Sequence, residues 1–140
     1  MRKIIFRAFS HFDNRWHYGV PAYKMDDTLL TNSDMFDDDD NYGIICSYEC
    51  IDGTTLGQYV GINDKNGCYI YEGDIIRAVL PETVACREYV WPLMAVSFHE
   101  GAFGVWQNAR DFTPLRSFAS RVEFEVVGNI HDNPDMIGGA

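Results

Sequence analysis

Residues 58–80 read QYVGINDKNGCYIYEGDIIRAVL, and they contain the strongest secondary-structure signals of the chain. Runs of aromatic and β-branched residues alternate in it with short sequences that contain glycine. The Asn66-Gly67 pair tolerates positive φ, which a type I′ hairpin turn requires at both central positions, and Asp64 can accept a hydrogen bond from the backbone that follows it. Glu72-Gly73-Asp74 forms a second turn signal. The stretch therefore predicts three consecutive β-strands joined by two tight turns.

Further segments of strand composition lie on both sides of this stretch, at residues 3–10, 16–20, 42–51, 93–98, 102–106 and 122–127. The last of them alternates most cleanly between apolar and acidic residues. His99-Glu100-Gly101 predicts a three-residue turn with a bulge at its glycine. Thr113 and Pro114 predict the cap and first turn of one short helical or 3₁₀ segment. About eight short strands and one short helix indicate a mainly β fold, a compact barrel or sandwich.

The length of 140 residues corresponds to one domain. We predict a single domain over residues 1–140 that can be divided into two lobes. The first is an N-terminal β lobe, residues 1–57. The second, residues 58–140, has the strand count and hairpin rhythm of a small SH3-like barrel, which is an analogy of fold and carries no function.

The chain is acidic, with 11 Lys and Arg against 21 Asp and Glu and a formal charge of −10. This charge argues against a phosphate-binding face, because affinity for nucleic acids depends mostly on cationic side chains. An acidic mimic of nucleic acid and a nucleic-acid-associated regulator remain open as alternatives. Neither an apolar signal segment nor an apolar run of about 20 residues occurs, so we predict a cytoplasmic protein without membrane contact.

No residue pattern points strongly to catalysis or to a metal. The four cysteines are Cys46, Cys50, Cys68 and Cys86. They and the four histidines lack the close spacing of a zinc site, so reduced, packed thiols are expected. The acidic run 37–40 does not follow the ligand spacing of a calcium loop and predicts an exposed loop. Glu72 and Asp74 could form the carboxylate pair of a hydrolase, but both lie in one tight turn. We predict no catalytic residue, metal or cofactor.

Three blocks of sequence resemble the YopX family. The central block is the Gln-Tyr-x-Gly-x-x-Asp-Lys-Asn-Gly-x-x-Ile-Tyr-Glu-Gly-Asp-Ile-Ile pattern at residues 58–76. Residues 5–9, Ile-Phe-Arg-Ala-Phe, are similar to the opening of the family, with Phe9 in place of tryptophan. Residues 126–137 are similar to its closing Val-x-Gly-Asn-x-x-Glu-Asn-Pro block. The blocks stand in the family's order and span nearly the whole chain, whereas residues 81–92 match no part of the pattern.

This resemblance implies a protein encoded by a bacteriophage or prophage, located in the cytoplasm of the bacterial host, and it implies no known activity. The leading hypothesis is a non-enzymatic accessory protein that binds a protein partner or forms a homo-oligomer, because Tyr is favoured in interfaces and open strand edges must be paired. A hydrolase is the third possibility. The predicted binding surface consists of the signature residues Tyr59, Asp64, Lys65, Asn66, Tyr71, Glu72 and Asp74.

Overall fold

Antiparallel strands dominate the computed structural model, which describes residues 3–24, 27–31, 48–79, 92–106, 110–118 and 122–137. These residues form twelve strands, and their only helical segments are two 3₁₀ turns, Leu115–Ser117 and Pro134–Ile137. The predicted mainly β fold is confirmed. The predicted acidic loop at 37–40, most of the predicted strand at 42–51, and the segment 81–91 lie outside the described residues.

The chain divides into two units, Met1–Tyr59 and Val60–Ala140. The division falls inside one long strand, two residues after the boundary predicted from the sequence. No helix among the described residues is long and apolar enough to cross a membrane. The single domain and the SH3-like class of its second half stay predictions, and each unit is described by itself below.

The N-terminal unit contains two small antiparallel arrangements. Its strands are β1 (Phe6–Ser10), β2 (Arg15–Gly19), β3 (Pro21–Lys24), β4 (Asp27–Thr31), β5 (Tyr48–Cys50) and the first part of β6 (Asp52–Asn63). β1 lies between β2 and β6, and β4 lies between β3 and β5. The β1–β2 loop ends at Asn14, whose φ of 56° is one that asparagine tolerates better than most residues.

A large bulge in β6 interrupts its pairing with β1. Arg7 lies opposite Gly57, but Phe9, two residues later, lies opposite Asp52. Buried Thr55 fills the bulge: its Oγ1 accepts a hydrogen bond from the Phe9 amide at 2.8 Å and donates one to the Asp52 carbonyl at 2.7 Å. A threonine hydroxyl thus satisfies backbone groups that the interrupted ladder leaves open.

The C-terminal unit is built on a five-stranded antiparallel sheet with the order β11-β10-β9-β8-β12. Its strands are β7 (Tyr69–Tyr71), β8 (Asp74–Val79), β9 (Met94–His99), β10 (Ala102–Trp106), β11 (Phe112–Pro114) and β12 (Glu123–Asn129). β7 stands outside this sheet, beside β6. The core consists of Ile70, Ile76, Met94, Val96, Val105, Leu115, Phe118 and Phe124. Burying each of these side chains contributes about 1.5–3 kcal/mol, so this apolar cluster is the main source of the unit's stability.

Each of the two hairpin turns of the C-terminal unit has the turn type that the sequence predicted for the other. At Asp64–Gly67 the Gly67 amide donates to the Asp64 carbonyl at 3.0 Å. Only Gly67 there has positive φ, which is the pattern of a three-residue loop with a glycine bulge. At the other hairpin, His99 pairs with Ala102, and both intervening residues have positive φ, Glu100 at 48° and Gly101 at 82°. That two-residue loop has the conformation of a type I′ turn.

The predicted helical turn is present at Leu115–Ser117, but its start differs from the prediction. Thr113 belongs to β11 and is not the cap. Pro114 occupies the N-cap position with extended backbone, φ −60° and ψ 142°, and no side chain caps the turn. Pairing of β11 with β10 keeps Thr113 extended. The strands beyond the expected eight include β3, β4 and β11.

Replacing Glu100 by asparagine is expected to stabilise the protein. Glutamate pays a steric cost in the left-handed conformation, whereas asparagine at the first position of a type I′ turn is favoured. We expect the free energy of unfolding to rise by roughly 0.5–1 kcal/mol in urea denaturation. Glu100→Gln is the matched control, because it removes the charge and keeps the unfavourable conformation. Equal stability of Glu100→Asn and Glu100→Gln would contradict this account of the turn.

Candidate functional site

The Asp64 side chain accepts three backbone hydrogen bonds from two distant parts of the chain. Its side chain is buried, with 7% exposure. Oδ1 accepts hydrogen bonds from the backbone amides of Asn66 at 2.8 Å and Cys68 at 2.9 Å, which fixes the hairpin turn. Oδ2 accepts one from the Val126 amide at 3.1 Å, 62 residues away on β12. One carboxylate therefore joins the turn to a distant strand.

The same turn closes the outer edge of β12. The Lys65 amide donates to the Phe124 carbonyl at 2.8 Å, next to the bond from Val126 to Asp64. β12 is the last strand of its sheet, so these groups would otherwise be open to pairing with another chain. The Asp-Lys pair of the signature thus has a structural role.

Charged side chains surround this closure. Lys65 Nζ lies 3.7 Å from Glu125 Oε2, and Arg77 on β8 contacts the same oxygen. The bond from Arg77 is the main reason that the pKa of Glu125 lies below its ordinary value, while partial burial opposes it. For Asp64, burial alone would raise the pKa, but the amides of Val126, Cys68 and Asn66 and the Lys65 charge outweigh it and lower it. Both carboxylates are held in the ionised form.

The second signature turn is also stabilised from within. Asp74 is 1% exposed, and its Oδ2 accepts a hydrogen bond from the Tyr71 amide at 2.8 Å. Gly73 has φ 88°, a conformation that favours glycine, and its amide donates to the Val96 carbonyl at 2.8 Å. Its carbonyl accepts from the Ile130 amide at 2.8 Å. The Glu72-Gly73-Asp74 turn therefore connects β9 with the closing block of the chain.

The closing block, residues 126–137, is also stabilised by contacts within the chain. A Cβ on Gly128 would lie 2.6 Å from Asn133 Oδ1 and 2.9 Å from Met136 Sδ, so a larger residue here would displace both of these side chains. The side-chain oxygen of Asn129 accepts hydrogen bonds from the amides of His131 at 3.0 Å and Asp132 at 2.9 Å. The block that ends the sequence signature is thus a side-chain-capped turn.

The predicted binding residues do not form one exposed surface. Asp64, Asp74 and Tyr71 are buried, so Tyr71 adds no exposed aromatic surface to the predicted binding surface. Glu72 is half-buried, whereas Lys65 and Asn66 are exposed, with the Asn66 amide bonded to Asp64. Half-buried Tyr59 lies on β6 at the end of the N-terminal unit. A binding role for these residues stays a prediction.

An aromatic cluster with one exposed and two half-buried rings lies on the face of the C-terminal sheet opposite the core. It consists of His99, Trp106 and Phe112, which we call the aromatic patch. The ring centroids are 4.9 Å apart for His99 and Trp106, 5.1 Å for His99 and Phe112, and 5.2 Å for Trp106 and Phe112. Trp106 is 38% exposed. Because Val105 is fully buried, strand alternation places Trp106 on the outer face.

Gly104 is the floor of the aromatic patch. A Cβ at this position would lie 2.6 Å from Phe112 Cζ and 2.4 Å from the Thr113 carbonyl oxygen. The absence of a side chain lets the Phe112 ring and the backbone of β11 approach β10 closely. The sequence prediction did not include this patch. The sequence feature that indicates it is the Gly104-Val105-Trp106 run, because strand alternation places the tryptophan on the face opposite the buried Val105.

Titratable groups elsewhere form local pairs. His11 Nε2 lies 3.0 Å from Asp52 Oδ2, and His17 Nε2 lies 2.7 Å from Asp13 Oδ2. Hydrogen bonds from the Thr54 hydroxyl and the His11 ring lower the pKa of Asp52 to about 2. Cys68 is a free, exposed thiol, which corrects the expectation of a packed one. Within the described ranges, no group of three or more histidine, cysteine or acidic residues could hold a metal ion.

Known proteins resemble this chain in sequence pattern and in fold. The family model described as "YopX protein" matches residues 5–138. No curated protein matches the chain. The crystal structure of protein EF1440 from Enterococcus faecalis is similar, with a TM-score of 0.59 and 22% sequence identity, and the match covers 98% of this chain and 99% of that chain. At this level of identity, the likeness shows the fold alone.

Replacing Asp64 by asparagine is expected to lower the free energy of unfolding at neutral pH by about 2–3 kcal/mol. The amide cannot accept hydrogen bonds at both of its terminal atoms, so a buried backbone amide loses its partner. Urea denaturation measures the effect. Asp135→Asn, at an exposed position of the second 3₁₀ turn, is the matched control and should change stability by less than about 0.5 kcal/mol. Similar stability of the two variants would contradict the role of Asp64.

The stability difference should also depend on pH. The pKa of Asp64 is lower in the folded state than the ordinary value of 3.8, so the ionised group contributes fully above that value. Its contribution disappears as the pH falls through the folded pKa. Wild type and Asp64→Asn should therefore converge in stability in acid, measured by urea denaturation from neutral pH to about pH 3. A difference that stays constant over this range would contradict the assignment.

Replacing Gly104 by alanine should destabilise the C-terminal sheet by about 1–3 kcal/mol, because the new methyl group collides with β11. The change is measured by chemical denaturation, and movement of β11 by the fluorescence of Trp106. Ser97→Ala is the control: Ser97 is paired with Gly104 on β9, and its substitution adds no atom. Unchanged stability of Gly104→Ala would show that β11 does not require this close approach.

Proposed function

The chain belongs to the YopX family, and from that premise we propose that it is a non-enzymatic interaction module of a bacteriophage or prophage that binds another protein. The aromatic patch of the C-terminal unit is its docking surface. The protein acts in the cytoplasm of the bacterial host. A homo-oligomer is one form that this interaction could take.

One observation carries this proposal: several polar signature residues bind the backbone of their own chain, whereas Trp106, in a cluster of aromatic rings outside the signature, is exposed on the sheet face opposite the core. Asp64 and Asp74 both accept backbone hydrogen bonds and are almost completely buried. A buried, bonded carboxylate is a poor candidate for contact with a substrate. The signature is therefore best explained by folding, and the binding surface lies outside it.

The aromatic patch has the composition of a binding surface. Tryptophan is enriched among the residues that dominate binding energy at protein interfaces, and large aromatic rings bury much area at little cost in side-chain entropy. The rings of Phe112 and His99 pack against that of Trp106, which lowers the side-chain freedom that Trp106 loses on binding. Strands β9 and β10, which carry two of the rings, contribute Met94, Val96 and Val105 to the core of the unit. A rigid sheet thus presents the patch.

The charge distribution supports a protein partner over a nucleic acid. A formal charge of −10 repels phosphates, and the exposed Lys65 and Arg77 are both paired with Glu125. Among the candidate carboxylates of a hydrolase, Asp74 is committed to the Tyr71 amide. These observations favour a protein-binding function, and they are independent of the aromatic patch.

Affinity capture tests the proposal. Tagged wild type and Trp106→Ala are used as bait in an extract of the bacterial host, and each captured protein is then purified and its binding measured by calorimetry. We expect Trp106→Ala to weaken binding at least about 30-fold, the effect of losing roughly 2 kcal/mol at a dominant interface residue.

Phe12→Ala is the matched control, because Phe12 is an aromatic residue, 86% exposed, in the N-terminal unit. It should bind the partner as wild type does. Folding of each variant is checked by thermal denaturation. If a purified partner bound Trp106→Ala and wild type equally well, or if wild type captured nothing that the tag alone does not, the proposal would be wrong.

A further inference from the structure

We propose that Asn66 is a site of spontaneous deamidation and that the carboxylate of Asp64 keeps this reaction slow in the folded protein. Residues 66–67 are the only Asn-Gly pair of the sequence, and the side chain of Asn66 is exposed. Glycine has no side chain to hinder attack on the asparagine that precedes it, which makes this pair the most reactive one for deamidation. The inference is independent of the function proposed above.

The reaction needs only the chain and water. The backbone nitrogen of Gly67 loses its proton and bonds to Cγ of Asn66, the bond from Cγ to the side-chain nitrogen breaks, and that nitrogen leaves with the proton as ammonia. A cyclic imide remains, which water opens. Cleavage at Cγ gives aspartate. Cleavage at the main-chain carbonyl gives isoaspartate, whose backbone runs through Cβ and Cγ and is one atom longer.

The native turn restrains the attacking nitrogen. The Gly67 amide donates to the Asp64 carbonyl at 3.0 Å, so removal of its proton breaks a hydrogen bond and leaves a negative nitrogen facing an oxygen. The amides on either side of it, those of Asn66 and Cys68, both donate to Asp64 Oδ1, at 2.8 and 2.9 Å. The carboxylate therefore lies close to the nitrogen that becomes negative, and the two charges repel.

The charge of Asp64 persists over the pH range in which asparagine deamidates. Burial alone would raise the pKa of Asp64, but the hydrogen bonds from the amides of Val126, Cys68 and Asn66 outweigh it and lower the pKa. Because Asp64 is only 7% exposed, water screens its charge little. The bond from Val126 at 3.1 Å also holds the carboxylate in place, so protection of Asn66 depends on the contact between the turn and β12.

Deamidation affects the closure of β12 in a way that depends on the product. Isoaspartate at position 66 adds a backbone atom inside the loop that the hydrogen bond from Gly67 to Asp64 closes, so the native spacing of the turn is lost. The adjoining bond from Lys65 to the Phe124 carbonyl requires that spacing. Aspartate keeps the native backbone and adds only an exposed charge. The isoaspartate form should therefore have an open β12 edge.

The first test compares the folded chain with a blocked synthetic peptide of residues 62–70, both incubated at slightly alkaline pH. Digestion with pepsin in acid stops the reaction, and mass spectrometry follows the conversion of Asn66. We expect the folded chain to react at least about tenfold more slowly than the peptide, which corresponds to about 1.4 kcal/mol of protection. Equal rates would overturn the inference.

Substitutions at Asp64 test its role. Asp64→Asn should deamidate at position 66 at least about fivefold faster than wild type, because the repelling charge is gone. Asp64→Ser is a second neutral variant whose hydroxyl can still accept a hydrogen bond in the turn. Gly104→Ala, which destabilises the same unit on β10, is the matched control and should react as wild type does. Thermal denaturation checks that each variant is folded.

Two results would contradict the role of Asp64. The first is a wild-type rate in folded Asp64 variants, and the second is an equal acceleration in Gly104→Ala, since general unfolding would then be the cause. The products are separated by chromatography and compared by amide exchange. The isoaspartate form should lose the protection of the Val126 amide, whereas Asn66→Asp should keep it. Equal protection in both would overturn the predicted opening of β12.

Discussion

The carboxylate of Asp64 is the one group on which the arrangement of the C-terminal unit depends. A buried charge is costly unless hydrogen bonds compensate it. Here three backbone amides do so, two from the hairpin turn and one from Val126 on β12. The neighbouring bond from Lys65 to Phe124 uses the same approach of the turn to the strand. Without this contact, the last strand of the sheet would have an open edge beside the core residue Phe124.

Other signature residues also bind or make room for backbone groups of the same chain. Asp74 holds the second turn, Gly73 links that turn to Val96 and Ile130, and Gly128 leaves space for the turn capped by Asn129. A family pattern built from such residues defines a fold and carries little information about a ligand. This explains why membership of the YopX family and likeness to the fold of EF1440 are compatible with binding surfaces that the pattern does not contain. The aromatic patch lies outside all three blocks of the pattern.

Much of the fold could be predicted from the sequence, because strand composition and glycine-containing turns are local signals. The three strands of the central stretch and the β9–β10 hairpin occur where they were expected. The turn types could not be predicted, since they depend on partners: Asp64 binds an amide 62 residues away, and Glu100 accepts a left-handed conformation that its residue type disfavours. The burial of Tyr71 likewise follows from packing. The candidate site was missed because the most recognisable residues are not the most exposed.

Amide hydrogen exchange, measured residue by residue with NMR, tests the central claim most directly. If Asp64 and Lys65 close the edge of β12, the amides of Val126 and Lys65 are protected to a degree comparable with amides inside the sheet, such as that of Ile76. Rapid exchange of both amides, at the rate of an exposed loop, would contradict the claim, because the edge would then be open and the signature would need another explanation.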